Sequence, residues 1–430
     1  MKRWMDNFRS SEVLNVSVFT AISTFVRLVT AFVSAKVIAI YLGPEGLGLL
    51  GQLSGFVSIV LVLSTGATTN GVIKYLAEYN GEANKQESII KSSLIITIIS
   101  SLLIGTILVF FSGYWSNLLF GSHTNYSSII LIFGFTLIFY AGSSLFVAIL
   151  NGLKEYKKYN YINIWSSLAG LLISIIFITY LGLYGALLAA VTSQLAIFII
   201  FLYYFSRVKT LNWRKIINAS INKFEYYKLA KFSLMAIITS ASVPVSQIFI
   251  RNYILDNADA ASMGYYEGIN RISLLYLSLI TTTLSVYYLP KLSEIKNVQL
   301  LRREILNGYK LLLPITLLIL LTVYLLRNIL IRIVFTSSFE PITAYFLPQL
   351  VGDFFKIASW LLAFQMLAKA MTVTFIITEI FFSATLVMLS VYFIQMYGGV
   401  GAVYAYGINY FLYFICMIIV FRKLLMNKQI

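Results

Sequence analysis

The sequence predicts an all-α integral membrane protein of about twelve transmembrane helices in two parallel six-helix lobes, and three observations carry that prediction. Hydrophobic residues fill 59% of 430 positions and charged residues only 11%, against roughly 25% charged in an ordinary soluble domain. Apolar runs recur at lengths near the roughly 20 residues that a helix needs to cross a hydrocarbon core about 30 Å thick. Lys and Arg gather in every second loop. No water-soluble fold hides so much apolar surface, so lipid is the solvent for most side chains.

In chain order, hydropathy places helices over residues 15–41, 52–76, 92–112, 127–151, 160–181 and 185–206. A second set falls over 230–254, 265–289, 309–327, 344–368, 372–395 and 402–424. The run from Val13 to Leu42 is too long for the apolar core of a cleaved signal peptide, so it is read as the first spanning helix. Gly43-Pro44-Glu45-Gly46 reads as an outer turn between the first two helices. Asn70 and Gly71 are small enough to let helices approach closely. His123, the lone histidine, falls in a short outer loop, and Cys416 is the lone cysteine, so intrachain disulfides, iron–sulfur clusters and histidine-based metal sites are not expected.

The net charge of +16 is a topology signal, and no nucleic-acid partner is read from it. Lys2, Arg3, Arg9, Lys74, Lys85, Lys91, Lys154, Lys157 and Lys158 lie in one set of loops. Arg207, Lys209, Arg302, Arg303, Lys310, Lys369, Arg422, Lys423 and Lys428 continue it, while the opposite loops carry only Arg327 and Arg332. The positive-inside rule then puts both termini in the cytoplasm.

Shifted by about 215 residues, the chain partly matches itself: Gly48-Leu49-Leu50 on Gly264-Tyr265-Tyr266, Leu76-Ala77-Glu78 on Leu292-Ser293-Glu294, and Gly185-Ala186 on Gly401-Ala402. Each half has an even number of helices and keeps the same orientation. The reading is an N-terminal six-helix lobe over 1–206, a basic cytoplasmic linker over 207–229, and a C-terminal six-helix lobe over 230–430. A parallel repeat of this kind places the substrate path at the centre, about an axis along the membrane normal.

Ionisable side chains within spans are expensive, at least ~2.5–3.5 kcal/mol at the bilayer centre, and normally face a cavity or a partner. The helical period aligns Thr20, Thr24, Arg27 and Ser34 on the first helix, and Ser233, Ser240, Gln247 and Arg251 on the seventh, where Pro244 is expected to kink the chain. Glu267, Arg271, Ser278 and Ser285 align on the eighth helix, and Gln349, Asp353, Lys356 and Trp360 on the tenth. These stripes suggest a hydrated cavity of positive character, with Arg27 too deep to reach the interface comfortably. Competing structural roles stand beside that reading. Glu267 and Arg271 have the spacing and order of a local ion pair; Asp353 and Lys356 could neutralise each other; Lys36 and Arg251 could snorkel. Glu379 reads as a buried helix contact.

No nucleotide-binding glycine loop occurs, and no loop is long enough for a soluble catalytic domain, so movement of a solute is favoured over catalysis and no cofactor is expected. Several stretches then carry a family resemblance along the whole chain: Gly43-Pro44-Glu45-Gly46-Leu47-Gly48-Leu49, Asn70-Gly71-Val72-Ile73-Lys74-Tyr75, Lys231-Phe232-Ser233-Leu234-Met235, and Leu350-Val351-Gly352-Asp353-Phe354-Phe355-Lys356. The sequence resembles the Wzx-type flippases of the multidrug/oligosaccharidyl-lipid/polysaccharide (MOP) superfamily, the kind serving O-antigen and enterobacterial common antigen (lipid III). That resemblance implies the MOP flippase fold with a central cavity in the bacterial inner membrane. It also implies an undecaprenyl-pyrophosphate-linked oligosaccharide cargo, moved from the cytoplasmic to the periplasmic leaflet by alternating access.

By the same resemblance, Arg27, Arg251, Arg271 and Lys356 would bind pyrophosphate, with Glu267, Asp353, Lys36 and Gln247 as further cavity or coupling residues. H+ or Na+ would be the coupling ion, membrane lipids the surroundings, and a glycan polymerase and chain-length regulator the protein partners. The competing readings are a multidrug or cation antiporter of the same superfamily, which would favour acidic cavity residues, and a membrane glycan polymerase.

Overall fold

The computed structural model describes residues 12–121, 125–205, 213–219, 223–284, 288–369 and 371–426. His123, Lys2, Arg3, Arg9, Arg207, Lys209, Ser285 and Lys428 lie outside the described residues. Every element described is helical, as hydrocarbon demands, because a backbone without water must satisfy its own hydrogen bonds.

The first half contains α1 (Glu12–Ser64), α2 (Thr69–Glu78), α3 (Ala83–Phe110), α4 (Ser112–Phe120), α5 (Ser127–Gly152) and α6 (Tyr156–Phe205). After the short α7 (Trp213–Asn218) come α8 (Lys223–Asn257), α9 (Ala260–Thr283), α10 (Leu289–Glu294), α11 (Val298–Leu325) and α12 (Arg327–Val334). A 3-10 segment, Ser337–Ile342, leads into α13 (Thr343–Ala368), followed by α14 (Thr372–Tyr397), α15 (Gly401–Val420) and α16 (Arg422–Leu425).

Among the described residues, 7 helical runs are long and apolar enough to cross a membrane. Three of them, Phe19–Ser64, Tyr156–Tyr204 and Thr372–Val420, span 46, 49 and 49 residues, each enough for two crossings at about 1.5 Å per residue. Each is interrupted at one glycine with backbone angles that only glycine adopts readily: Gly43 (φ 62, ψ −163), Gly182 (φ 57, ψ −134) and Gly398 (φ 62, ψ −150). Gly182 and Gly398 are 216 residues apart, as are the following Gly185 and Gly401. A Cβ on Gly185 would strike the carbonyl of Phe177, and one on Gly401 the carbonyl of Phe393. The same turn geometry therefore recurs at the offset of the sequence repeat.

The predicted second helix, 52–76, is displaced. The helix resumes directly at Pro44, because a residue before proline avoids the helical region while proline itself suits the first helical position, and α1 runs on to Ser64. A turn follows, with Gly66 and Ala67 both at positive φ (58 and 52), before α2 begins. The ninth predicted helix starts earlier than position 309, since the Asn297 side chain accepts from the amides of Gln299 (2.9 Å) and Leu300 (3.1 Å) and caps α11 at Val298. Two lysines close helix ends: Lys91 Nζ, from within α3, donates to the carbonyls of Ile217 (2.7 Å) and Ala219 (2.8 Å), and Lys369 Nζ donates to that of Ile295 (2.6 Å).

The chain divides into two compact units, Met1–Tyr41 with Leu53–Ala241, and Leu42–Gln52 with Ser242–Ile430. In the first, α3 turns the soluble pattern inside out. Ser93, Thr97 and Ser101 are buried while Ile98, Ile99, Leu102 and Leu103 are exposed, as expected where lipid wets the apolar face and small polar residues pack helices. In the second, buried Tyr266, Phe335, Phe339 and Phe346 form the core, and the rings of Phe335 and Phe339 stack at 4.5 Å. The Leu42–Gln52 stretch of α1 is tied into this second unit by Gln52, whose Nε2 donates to Asn252 Oδ1 (2.6 Å) and to the carbonyl of Ile248 (3.2 Å).

Substituting Gly182 or Gly398 with Ala should destabilise the protein by about 1–3 kcal/mol each, read as a lower melting temperature in detergent. Gly113→Ala, where an added Cβ meets nothing within 4 Å, should change it by no more than about 0.5 kcal/mol. Equal melting temperatures for all three variants would contradict this account of the breaks.

Candidate functional site

Helices α8, α9, α13, α14 and α15 of the second unit enclose a cavity of about 400 Å³. Its wall is mixed: Arg251, Glu267, Lys356 and Glu379 bring charge, Gln247, Asn270, Ser273 and Asn409 bring amides and a hydroxyl, and Trp360, Tyr406, Tyr410 and Tyr413 bring rings. Residues placed on separate stripes by the sequence thus converge on one space.

Glu267 organises one end. Its Oε1 accepts from Arg271 Nε at 2.8 Å, the local pair that the four-residue spacing predicts, and its Oε2 accepts from Arg251 Nη2 at 2.6 Å across to α8. Arg251 does not snorkel. It is only 7% exposed, and its Nε and Nη1 have no acceptor among the described residues. The carboxylate reaches this position because residue 51 is glycine: a Cβ there would lie 2.5 Å from Glu267 Oε2. Beside the pair, Tyr266 donates its hydroxyl to Gln247 Oε1 at 2.9 Å.

The other end centres on Lys356. Its ammonium stands 5.1 Å from the Trp360 ring centroid, 5.4 Å from that of Tyr406 and 5.0 Å from that of Tyr410, close enough for cation–π attraction to each. Asp353, one turn away, does not pair with it within 4 Å among the described residues. Asp353 is fully buried and accepts instead from Tyr276, from Ser273 (2.7 Å), from Tyr406 (2.6 Å) and weakly from Gln349 (3.4 Å). Gly352 admits the Tyr406 ring, whose Cε1 would lie 2.6 Å from an added Cβ.

The charges lining the cavity balance, with Arg251 and Lys356 against Glu267 and Glu379. What distinguishes the cations is how they are held. Glu267 is shared by two guanidiniums, and Lys356 lies against ring faces with no carboxylate in direct contact among the described residues. An anion can therefore still find charged donors here.

Arg251, Lys356, Glu267 and Gln247 line this cavity, Arg271 joins it through Glu267, and Asp353 joins it through Tyr406. Arg27 and Lys36 belong to the first unit. Arg27 is exposed, with no ion pair among the described residues, and Lys36 is half-buried. The side chain of Ser233 lies outside the described residues. Sequence reasoning missed Tyr406, Tyr410 and Asn409, and it read Glu379 as a buried helix contact where the residue lines the cavity. Asn409 carried a usable signal, being a polar group within an otherwise apolar run; the tyrosines did not, in a chain with 30 of them.

The chain matches the family described as "Polysaccharide biosynthesis protein" over residues 13–296. It is 30% identical over 404 residues to the lipid III flippase of Escherichia coli K12, covering 93% of this chain and 95% of that one, and equally to the lipid III flippase of Shigella flexneri. Among solved structures it is similar to an inward-facing multidrug resistance MATE family transporter of the MOP superfamily, with a TM-score of 0.76, 14% identity, and 96% and 100% of the two chains covered. It is also similar to the lipid II flippase MurJ in an inward closed conformation, with a TM-score of 0.74, 18% identity, and 96% and 90% covered.

Replacing Glu267 with Gln would leave two guanidiniums short of their counter-charge and should cost about 3–5 kcal/mol, seen as a large fall in melting temperature. Breaking the exposed Lys85–Glu82 pair (2.6 Å) with Lys85→Ala should cost no more than about 1 kcal/mol. Comparable losses from the two changes would contradict the central position of Glu267.

Proposed function

Because the chain belongs to the polysaccharide biosynthesis protein family, we propose that it is a flippase for a lipid-linked oligosaccharide in the bacterial inner membrane. The cargo in this reading is a glycan repeat unit of O-antigen or enterobacterial common antigen type on undecaprenyl pyrophosphate. It moves from the cytoplasmic to the periplasmic leaflet by alternating access, driven by an H+ or Na+ gradient. The similarity to two lipid III flippases over nearly the whole chain supports this class of cargo.

The observation that carries the reading is a single cavity lined by a buried Arg251 with two unpartnered nitrogens and by Lys356, which lies against rings with no carboxylate within 4 Å among the described residues. An unescorted charge in hydrocarbon costs tens of kcal/mol by Born solvation. A pyrophosphate therefore needs donors that replace its water throughout the crossing. Guanidinium supplies planar, paired hydrogen bonds, and a lysine supplies a compact charge. Arg271 steadies Glu267, so that Arg251 can turn part of its guanidinium toward cargo. The amides and rings of Asn270, Asn409, Trp360 and Tyr410 suit sugar hydroxyls and the apolar faces of pyranose rings. Arg27, exposed on α1, contributes a further positive charge to the cargo's path in this proposal.

A cation antiporter is the weaker reading. Such a carrier needs an open carboxylate. Asp353 is enclosed by four donors and Glu267 is shared by two arginines, which leaves Glu379, with Lys356 as its neighbouring cation, as the one acid on the wall that such a carrier could use. The identity to two lipid III flippases over nearly the whole chain favours the flippase reading.

The test is surface glycan in cells whose own flippase is deleted, with each variant's membrane level measured alongside. Arg251→Gln and Lys356→Gln should each reduce display about tenfold or more, since a hydrogen bond to a charged group is worth about 1.5–3 kcal/mol. Arg27→Ala should act in the same direction. Normal surface glycan from Lys356→Gln and Arg251→Gln, at normal protein levels, would refute the anion-binding assignment.

A further inference from the structure

A second basic site lies outside this cavity, at the N-terminal end of α11. Gln299, Arg302, Arg303, Leu306, Asn307 and Lys310 line a cleft of about 530 Å³. No carboxylate pairs with Arg302, Arg303 or Lys310 among the described residues. Arg302 is held in place by its Nε, which donates to the carbonyl of Leu425 at 2.9 Å at the end of α16, so its guanidinium is not a loose surface charge. Arg303 and Lys310 are both exposed and seven residues apart, two helical turns on one face.

That same face continues into the membrane as leucine. Leu317 and Leu321 lie on the stripe of Arg303 and Lys310, with Leu318 beside them, and they are 58%, 53% and 66% exposed. From Lys310 to Leu321 the helix rises about 16 Å, close to one leaflet of a core about 30 Å thick. The surface is therefore a cationic head site joined to an apolar track of leaflet length. Its chemistry matches an anionic glycerophospholipid, with phosphate on Arg303 and Lys310 and acyl chains along the leucines. A free phosphate would leave the track unused, and a zwitterionic lipid would set its own ammonium against the two bases.

We infer that the basic end of α11 and its leucine stripe form a binding site for an anionic phospholipid, on the side of the membrane that the positive-inside pattern assigns to the cytoplasm, where such lipids attract basic groups. The site does not depend on the identity of the cargo, and its occupancy can be read without any transport measurement. It takes lipid from the bilayer beside α11.

Native mass spectrometry of the full chain in detergent, with added phosphatidylglycerol or phosphatidylethanolamine, tests the assignment. The unaltered protein should retain phosphatidylglycerol about tenfold more than phosphatidylethanolamine, and excess inorganic phosphate should not displace it. The double variant Arg303→Gln/Lys310→Gln should lose that preference while its phosphatidylethanolamine adducts, the check on folding, stay unchanged. Equal retention of both lipids by the unaltered chain would overturn the site whether or not the variant folds. So would displacement by phosphate, or an undiminished preference in the variant.

Discussion

The polar core of the second unit depends on one constraint: a charge placed among lipid-solvated helices has no water to turn to, and every other group must arrange itself around its compensation. Glu267 is where that constraint is met. One carboxylate accepts from Arg251 on α8 and Arg271 on α9, and it occupies space that exists because position 51 has no side chain. The Leu42–Gln52 stretch is thereby held against α8 and α9, and Gln52 adds its own bonds to Ile248 and Asn252. Backbone packing and charge compensation are in this region the same set of contacts.

Compensation takes a different form around Lys356, and the difference has consequences for ligand chemistry. A lysine and an aspartate three residues apart would in most helices cancel each other. Here Asp353 is turned into a nest of hydroxyls from Ser273, Tyr276 and Tyr406, and Lys356 is turned onto ring faces. Tyr406 serves both, giving its hydroxyl to the acid and its face to the base. The result is a cation whose ammonium is not taken up in a direct salt bridge among the described residues.

How much of this was legible in the sequence follows from the range of each interaction. The spans were legible, because composition alone selects lipid as solvent, and so was the Glu267–Arg271 pair, because it lies within one helix period. The start of the second helix was misplaced by reading Gly43-Pro44 as a loop. Glycine makes the break in a single residue and proline begins the next helix at once. The Arg251–Glu267 bond joins two helices across a turn, and the box around Lys356 draws Tyr406 and Tyr410 from a helix some fifty residues on. Periodicity says which residues share a face of their own helix; it says nothing about which faces meet. Tyr406 and Tyr410 are two among 30 tyrosines, and nothing local to their own helix marks them out.

The balanced lining of the cavity bears on how one fold can serve unlike cargoes. The chain shares its fold with a multidrug transporter and with a lipid II flippase at 14% and 18% identity, so backbone architecture cannot be what distinguishes their chemistry. In this chain the lining charges are balanced, Arg251 and Lys356 against Glu267 and Glu379. What remains is the assignment of partners. Asp353 and Glu267 are saturated by donors and have little left to offer a cation, whereas Arg251, held by one shared carboxylate, and Lys356, set against aromatic faces, keep hydrogen-bonding capacity for an anion. Selectivity of this kind resides in orientation and satisfaction, and it persists in a cavity whose formal charge is zero.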